Sequence, residues 1–347
     1  MATPWQQHLD RLGSHCEDGR VQDFGDAAAE LQAAAAGETL LADLSHRALL
    51  TATGSEVLSF FQGQLTNDAL AAADGHPVLA AHLTPKGRVL ASLLLFPLAE
   101  GYAVDFAEDM LEPLAKRLRM FVLRADVHIH EAGADWVRFG LTGPDAEAAA
   151  CAAAGVDRLD PAGTTHGPQA TVVTLPGPQA AYAVIAAPTS AEEAWERAAE
   201  WARAVGDPAW RLARIRAGVP DLGAATSEQF IPQEVNLEEL GGISYTKGCY
   251  TGQEVVARTK HLGRRKRRLY RVRTEAVLES GQAVYGEGEQ SQGRVVTAAP
   301  LPGGGSEALA VLRLESAEGA ASLVPEGDAQ APLTRLELPY AFAEDTE

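Results

Sequence analysis

The segment Thr53-Gly54-Ser55-Glu56-Val57 is echoed at Thr142-Gly143-Pro144-Asp145-Ala146. Each copy follows an apolar run suited to a strand and opens a run with helical period. A glycine at such a corner lets the chain reverse through positive φ, where a side chain would be strained. Either the two corners head two similar α+β modules, or they are a coincidence of a common strand–glycine–helix turn. The flanking patterns favour modules. The first has strands at 40–44 and 48–53 and a helix over 56–62. A hairpin of 78–84 and 88–96 follows around Pro85-Lys86-Gly87, then a strand at 102–106, a helix over 110–120 and a returning strand at 121–130. The second has a strand at 136–142, a helix over 145–154, strands at 170–174 and 181–187, and a helix over 191–205. Ser190 and Glu193 have the spacing of a capping box for that last helix.

Residues 1–37 read as an N-terminal extension with an alanine-rich helix over 26–36, ended by Gly37. A short helix spans 210–217. From Leu269 the pattern changes to short strands between glycine and proline clusters, which predicts a small β-barrel. The expected organisation is an α+β fold: an extension (1–37), two modules (about 38–131 and 132–265) and a C-terminal barrel (266–347).

At 347 residues with 46% hydrophobic content, the chain can bury several cores. Its formal charge of −18 speaks against general attraction to nucleic acid or membranes. Cys16, Cys151 and Cys249 form no CxxC pair, and so sparse a set suits a reducing cytoplasm. The polar N-terminus carries no apolar signal region, and no run approaches bilayer length. The histidines show no metal spacing; His128 and His130 alternate on one strand face without a third ligand, so no metal site is expected.

One octapeptide carries chemistry: Lys247-Gly248-Cys249-Tyr250-Thr251-Gly252-Gln253-Glu254. Thr251 and Glu254 are spaced as a capping box, which would put Cys249 two residues before a helix N-terminus and beside the positive Lys247. Such a place favours thiolate, able to attack an electrophile or bind a soft metal. The plainer reading is a helix cap and a small buried cysteine.

The octapeptide resembles the signature of the YgfZ family, folate-binding relatives of the glycine-cleavage aminomethyltransferase. The run Phe230 to Leu237, Gly241 to Tyr245 and, upstream, Gln62-Gly63-Gln64-Leu65-Thr66-Asn67-Asp68 extend the resemblance over roughly residues 40 to 345. It implies a GcvT-like fold of two interleaved folate-binding modules, tetrahydrofolate or a derivative as ligand, and a cytoplasmic role in iron–sulfur cluster assembly or repair and in tRNA modification. Iron–sulfur assembly or client proteins are the implied partners, with transient cluster contact through Cys249. By the same resemblance Cys249 and Lys247 are the reactive residues. Glu234 holds the two adjacent N–H donors of the pterin, Trp210 stacks near the ring, and Asn67, Asp68 and Arg258 join the folate site. Arg47 stands where the family can place a tryptophan. The aminomethyltransferases carry an aspartate after the hairpin turn, whereas Thr84-Pro85-Lys86-Gly87-Arg88-Val89-Leu90 has no acid. That difference points away from glycine cleavage.

The basic run Arg264-Arg265-Lys266-Arg267-Arg268, extended by Arg258, Lys260, Arg271 and Arg273, stands out in an acidic chain. It suits a polyglutamate tail, phosphate groups or RNA, or else a charged strand edge that resists aggregation. No aromatic ladder accompanies it, which argues against a dedicated RNA-binding module.

Overall fold

The computed structural model describes residues 3–262, 265–286, 290–319 and 322–342. In chain order the elements are α1 (Pro4–Arg11), β1 (His15–Glu17), β2 (Arg20–Asp23), α2 (Ala27–Ala36), β3 (Leu40–Asp43), β4 (Ala48–Thr53), α3 (Val57–Gln64), β5 (Val78–Leu83), β6 (Val89–Pro97) and β7 (Tyr102–Phe106). Next come α4 (Leu111–Val122), β8 (His128–Glu131), β9 (Val137–Thr142), α5 (Ala146–Ala154), β10 (Thr164–His166), β11 (Ala170–Thr174), β12 (Ala181–Ala186), α6 (Ala191–Ala199), β13 (Arg203–Val205), α7 (Asp207–Arg216) and α8 (Gln253–Leu262). The C-terminal part holds β14 (Arg267–Thr274), β15 (Ala283–Tyr285), β16 (Ser291–Pro300), β17 (Ser306–Arg313), α9 (Leu314–Glu318), β18 (Val324–Pro325) and β19 (Thr334–Leu336). Among the described residues no helix is long and apolar enough to cross a membrane.

The echoed corners are real. Gly54 and Gly143 sit at φ +118° and +115° between β4 and α3 and between β9 and α5. A Cβ on Gly54 would stand 2.1 Å from the Asp126 carbonyl oxygen, and one on Gly143 would stand 2.6 Å from that of Glu38. The sheets they head repeat one order: β5-β6-β7-β4 in the first and β10-β11-β12-β9 in the second. The modules also exchange chain. β3, early in the sequence, pairs antiparallel with β9 and parallel with β13, so it belongs to the second sheet. The two sheets pack through Leu49, Leu94, Phe96, Val173 and Ile185.

Several local expectations shift. The segment after α4 is not a strand from 121: the helix continues to Val122, and β8 begins only at His128. The helix expected over 191–205 stops at Ala199, because β13 pairs with β3. Ser190 does not cap α6; its hydroxyl donates to the Gln169 carbonyl at 2.8 Å instead. Residues 3–37 pack on the second module. Trp5 stacks against Phe139 and meets Trp195 edge-on, its indole N–H donates to Asp43 at 2.9 Å, and Glu30 accepts from the amides of Phe24 and Gly206. The C-terminal sheet runs β18-β15-β16-β17-β14-β19 and curls into a half-barrel.

Candidate functional site

A cavity of about 230 Å³ opens where the two module sheets, α7 and the C-terminal sheet meet. Its apolar wall includes Leu79, Leu93, Phe96, Ile185 and Trp210. Trp210 enters from α7, which begins with Pro208 in its first turn, where the missing amide costs nothing. The indole is 6% exposed, and its tip lies flat over Gly140 of β9. A Cβ there would meet Trp210 Cη2 at 2.5 Å and Leu44 Cδ1 at 2.8 Å, so glycine makes the room.

The polar groups of the cavity are organised by Arg47. Its Nε donates to Asp105 of β7 at 2.7 Å and its Nη1 to Asp221 at 2.8 Å. Asp221 precedes the C-terminal part and is bonded to Thr297 of β16 through its backbone, so Arg47 ties the first module to the half-barrel. Burial opposes the Arg47 charge, but the two aspartates outweigh it and hold its pKa above the ordinary value. Partial desolvation in the cavity mouth opposes the Asp221 carboxylate, whose side chain is 47% exposed, and Arg47 more than compensates, leaving its pKa below the usual range. Among the described residues Arg214 is bonded to no carboxylate: its Nη2 donates to the Pro176 carbonyl at 2.5 Å, and burial, with Arg47 adding and Asp221 opposing, lowers it to about 10. His46, on the β3–β4 connection, is held between Ser45 and Arg47, whose carbonyls both accept from Arg138 Nη2 at 2.7 Å. Its Nε2 lies 3.7 Å from Asp207.

The octapeptide forms a second, separate site: among the described residues none of Lys247 to Glu254 lines the cavity. Lys247 does not turn its ammonium to Cys249. Its Nζ donates to the carbonyls of Leu65 and Asn67 at 2.8 and 2.7 Å and lies 5.2 Å from the Tyr250 ring centroid. Burial lowers its pKa to about 8, against the pull of Asp68. Tyr250 is buried, which raises its hydroxyl to about 12. Gly252, at φ +84°, packs on the Pro85-Lys86-Gly87 turn, where a Cβ would reach the Thr84 carbonyl oxygen at 2.6 Å. Gly87 answers it, with its own Cβ position 2.6 Å from Val255. The glycines of the two motifs thus explain each other. Gly248 meets nothing, and Cys249 beside it is exposed, so the buried-cysteine reading falls. The expected Thr251–Glu254 capping box is not formed among the described residues. The Tyr250 amide donates to Gln253 Oε1 at 3.2 Å, one residue earlier in register, and Glu254 is exposed.

The other expected folate residues divide. Arg47 and Trp210 line the cavity. Glu234 does not: it lies in the single 3-10 turn Pro232–Val235, accepts from the Ile231 amide at 3.1 Å and sits 3.6 Å from Arg88 Nη1. Asn67 is spent on the carbonyls of Leu79 and Gly241 at 2.9 and 2.8 Å, and Asp68 accepts from Gln62 and the Leu70 amide. These two build the bed under Lys247. Arg258 is exposed on α8. The basic run is not a free stripe either. Arg265 is 9% exposed and bonded to Glu238 and Glu239, Lys260 pairs with Glu238 at 2.5 Å, and Arg268 lies over the Phe342 ring. Arg264 lies outside the described residues. Sequence reasoning missed Asp105 and Asp221, which only tertiary packing brings to Arg47, and His46, its chain neighbour, which carries no motif. It also missed that His8, Glu192 and Glu196 converge within 4.8 Å, a grouping into which Arg11 is already bonded.

The buried imidazoles set an acid limit. Burial lowers His46 to about 4 against Asp207. Burial also lowers His82 to about 4, with Arg117 adding to it and the bond to the Gln64 carbonyl opposing it. The unfolded chain therefore takes up these protons first, and stability is lost as pH falls from about 6.5 towards 4. Each histidine costs about 1.4 kcal/mol per pH unit in that window. Glu30, Asp43 and Glu234, raised by burial, work in the opposite sense. The difference is therefore the measurement. Denaturant unfolding at pH 7 and pH 5 is expected to show a shallower acid loss in His82→Gln than in the parent, and equal slopes would refute the assignment.

No protein-family model matches the chain. It is 33% identical over 311 residues to tRNA-modifying protein YgfZ of Yersinia enterocolitica, covering 88% of this chain and 93% of that protein. The YgfZ of Yersinia pestis is 33% identical over 310 residues with the same coverage. Among solved structures, the glycine cleavage system aminomethyltransferase T of Bartonella henselae superposes with a TM-score of 0.75 over 96% of each chain, at 15% identity, which establishes a common fold. With its two interleaved modules, its curled C-terminal sheet and a match along nearly the whole length of these relatives, the chain belongs to the YgfZ family.

Proposed function

We propose that this protein binds a reduced folate in the central cavity and, through Cys249, supports iron–sulfur cluster assembly or repair in the cytoplasm. Its effect on tRNA modification, the activity for which the Yersinia relatives are named, would then pass through cluster-dependent enzymes. The observation that carries the reading is the cavity itself, at the junction of both modules and the half-barrel, with an apolar wall on one side and paired charges on the other. A flat heteroaromatic ring with a polar edge suits such a lining. Asp105 is the carboxylate we assign to the pterin edge, since Arg47 is bonded to only one of its oxygens and its side chain is 20% exposed. When bound, tetrahydrofolate would supply a one-carbon carrier or a reductant. The protein's part is to bind and orient the ring and to keep Cys249 outside on a separate, exposed loop.

Titration calorimetry with tetrahydrofolate tests this. Asp105→Asn is expected to weaken binding by about ten- to a hundredfold, the loss of one charge-assisted bond at about 1.5–3 kcal/mol. Glu234→Ala, away from the cavity, is expected to bind like the parent. No binding by the parent overturns the folate reading. Weakening by Glu234→Ala with none by Asp105→Asn would move the pterin out of the cavity to the Pro232–Val235 turn.

A further inference from the structure

The C-terminal end of α4 leaves large apolar groups uncovered. Met120 is 62% exposed, Phe121 36% and Leu123 86%, all within four residues. Leu123 takes φ +50° and ψ −101°, outside the favoured regions, and so turns the chain out of the helix with its side chain in solvent. Non-glycine strain of this kind persists only where the surrounding structure holds it, and it clusters at functional sites. Cations flank the patch in a chain of net charge −18: Lys116 and Arg124 are exposed, Arg117 lies 5.4 Å from the Phe121 ring centroid, and Arg119 is paired with Glu131 at 3.0 Å.

This helix end is also linked to the Cys249 loop. Arg117 Nε donates to His82 Nε2 at 2.9 Å, and the other His82 ring nitrogen bonds the Gln64 carbonyl at 3.1 Å. The next carbonyls along that segment, those of Leu65 and Asn67, receive Lys247 Nζ. One short stretch, residues 64–67, thus holds both His82, which is bonded to α4, and Lys247 of the loop that exposes Cys249.

We propose that the end of α4 docks a partner protein through an acidic amphipathic helix whose apolar side covers Met120, Phe121 and Leu123. Charge chooses the occupant. A second copy paired by a two-fold axis would set these arginines against each other. Nucleic acid would leave three apolar side chains without apolar cover, whereas a helix with one apolar face covers them. That docking brings the partner to Cys249 rests on the function proposed above; the docking itself does not.

The test uses the full-length protein and two fluorescein-labelled synthetic helical peptides with one leucine-rich face, the rest being glutamate in one and lysine in the other. Anisotropy titrations are expected to show saturable binding of the glutamate peptide, with the lysine peptide at least tenfold weaker. The Met120→Ser/Phe121→Ser/Leu123→Ser variant should lose at least tenfold, and so should Lys116→Glu/Arg124→Glu, a second route should the first fail to fold. Cys249→Ser should bind like the parent, which separates docking from the chemistry. Equal binding of both peptides, or variants that bind like the parent, overturns the proposal. So does a tRNA transcript whose binding is lost in these variants, or self-association in the ultracentrifuge that the triple variant abolishes.

Discussion

Cys249→Ser is expected to leave the melting temperature unchanged and to abolish rescue of cluster-dependent enzyme activity in a strain lacking the protein. The stability half follows from exposure: Cys249 is exposed beside Gly248, where an added Cβ would meet nothing within 4 Å among the described residues, so exchanging sulfur for oxygen disturbs no packing. The activity half follows from chemistry, since a hydroxyl is neither a nucleophile of comparable strength nor a soft metal ligand. Cys16 is the internal control. It too is exposed, with the Ser14 hydroxyl at 3.7 Å, but it lies on β1, outside the octapeptide. Cys16→Ser should rescue fully. Full rescue by Cys249→Ser would remove the thiol from the function, and equal loss by both would indicate a general thiol effect.

The parts of the fold that local chemistry controls were legible in the sequence. The corners at Gly54 and Gly143 and the hairpin at Pro85-Lys86-Gly87 are fixed by residues a few positions apart, and each is where the pattern places it. What depends on distant pairing was not. Nothing in Leu40–Asp43 itself says that it joins β9, about a hundred residues later; the interleaving that this pairing creates was implied only by the family resemblance. The site divides the same way. The octapeptide and its bed were visible as motifs, but the motifs do not reveal that Lys247 is committed to backbone carbonyls. Arg265 shows why a charge run misleads: its partners, Glu238 and Glu239, come from a segment read for other reasons. Glu234 shows the same for a single acid. A carboxylate among apolar residues suits a ligand, but it equally suits the amide three residues back that needs an acceptor. The cavity's own carboxylates, Asp105 and Asp221, lie 116 residues apart and have no motif. Only Arg47, between them, makes them one group.

The largest structural cost is expected where the modules meet the cavity. Trp210→Ala should destabilise the protein by about 3–5 kcal/mol, the range for removing a buried aromatic side chain, because the indole is 6% exposed and belongs to the central core. Gly140→Ala approaches the same contact from the other side. Its new methyl would stand 2.5 Å from Trp210 Cη2 and 2.7 Å from Cζ2, far inside van der Waals contact, and Leu44 blocks the retreat at 2.8 Å. Overpacking of this kind costs about 1–3 kcal/mol. The two changes should not add. Once the indole is gone, the methyl enters space that Trp210 vacated, so Gly140→Ala should be much less harmful, even stabilising, in the Trp210→Ala background. A double-mutant cycle by urea unfolding is expected to give a coupling within about 0.5–3 kcal/mol, the range for residues in contact. The ligand supplies a second readout on the same cycle. Gly140→Ala leaves every polar group of the cavity in place but pushes the indole off β9, so tetrahydrofolate affinity should fall in the single variant although no polar contact is removed. Additive stabilities would mean that the indole does not rest on Gly140. Parent-like affinity in Gly140→Ala would mean that the ring does not lie against Trp210.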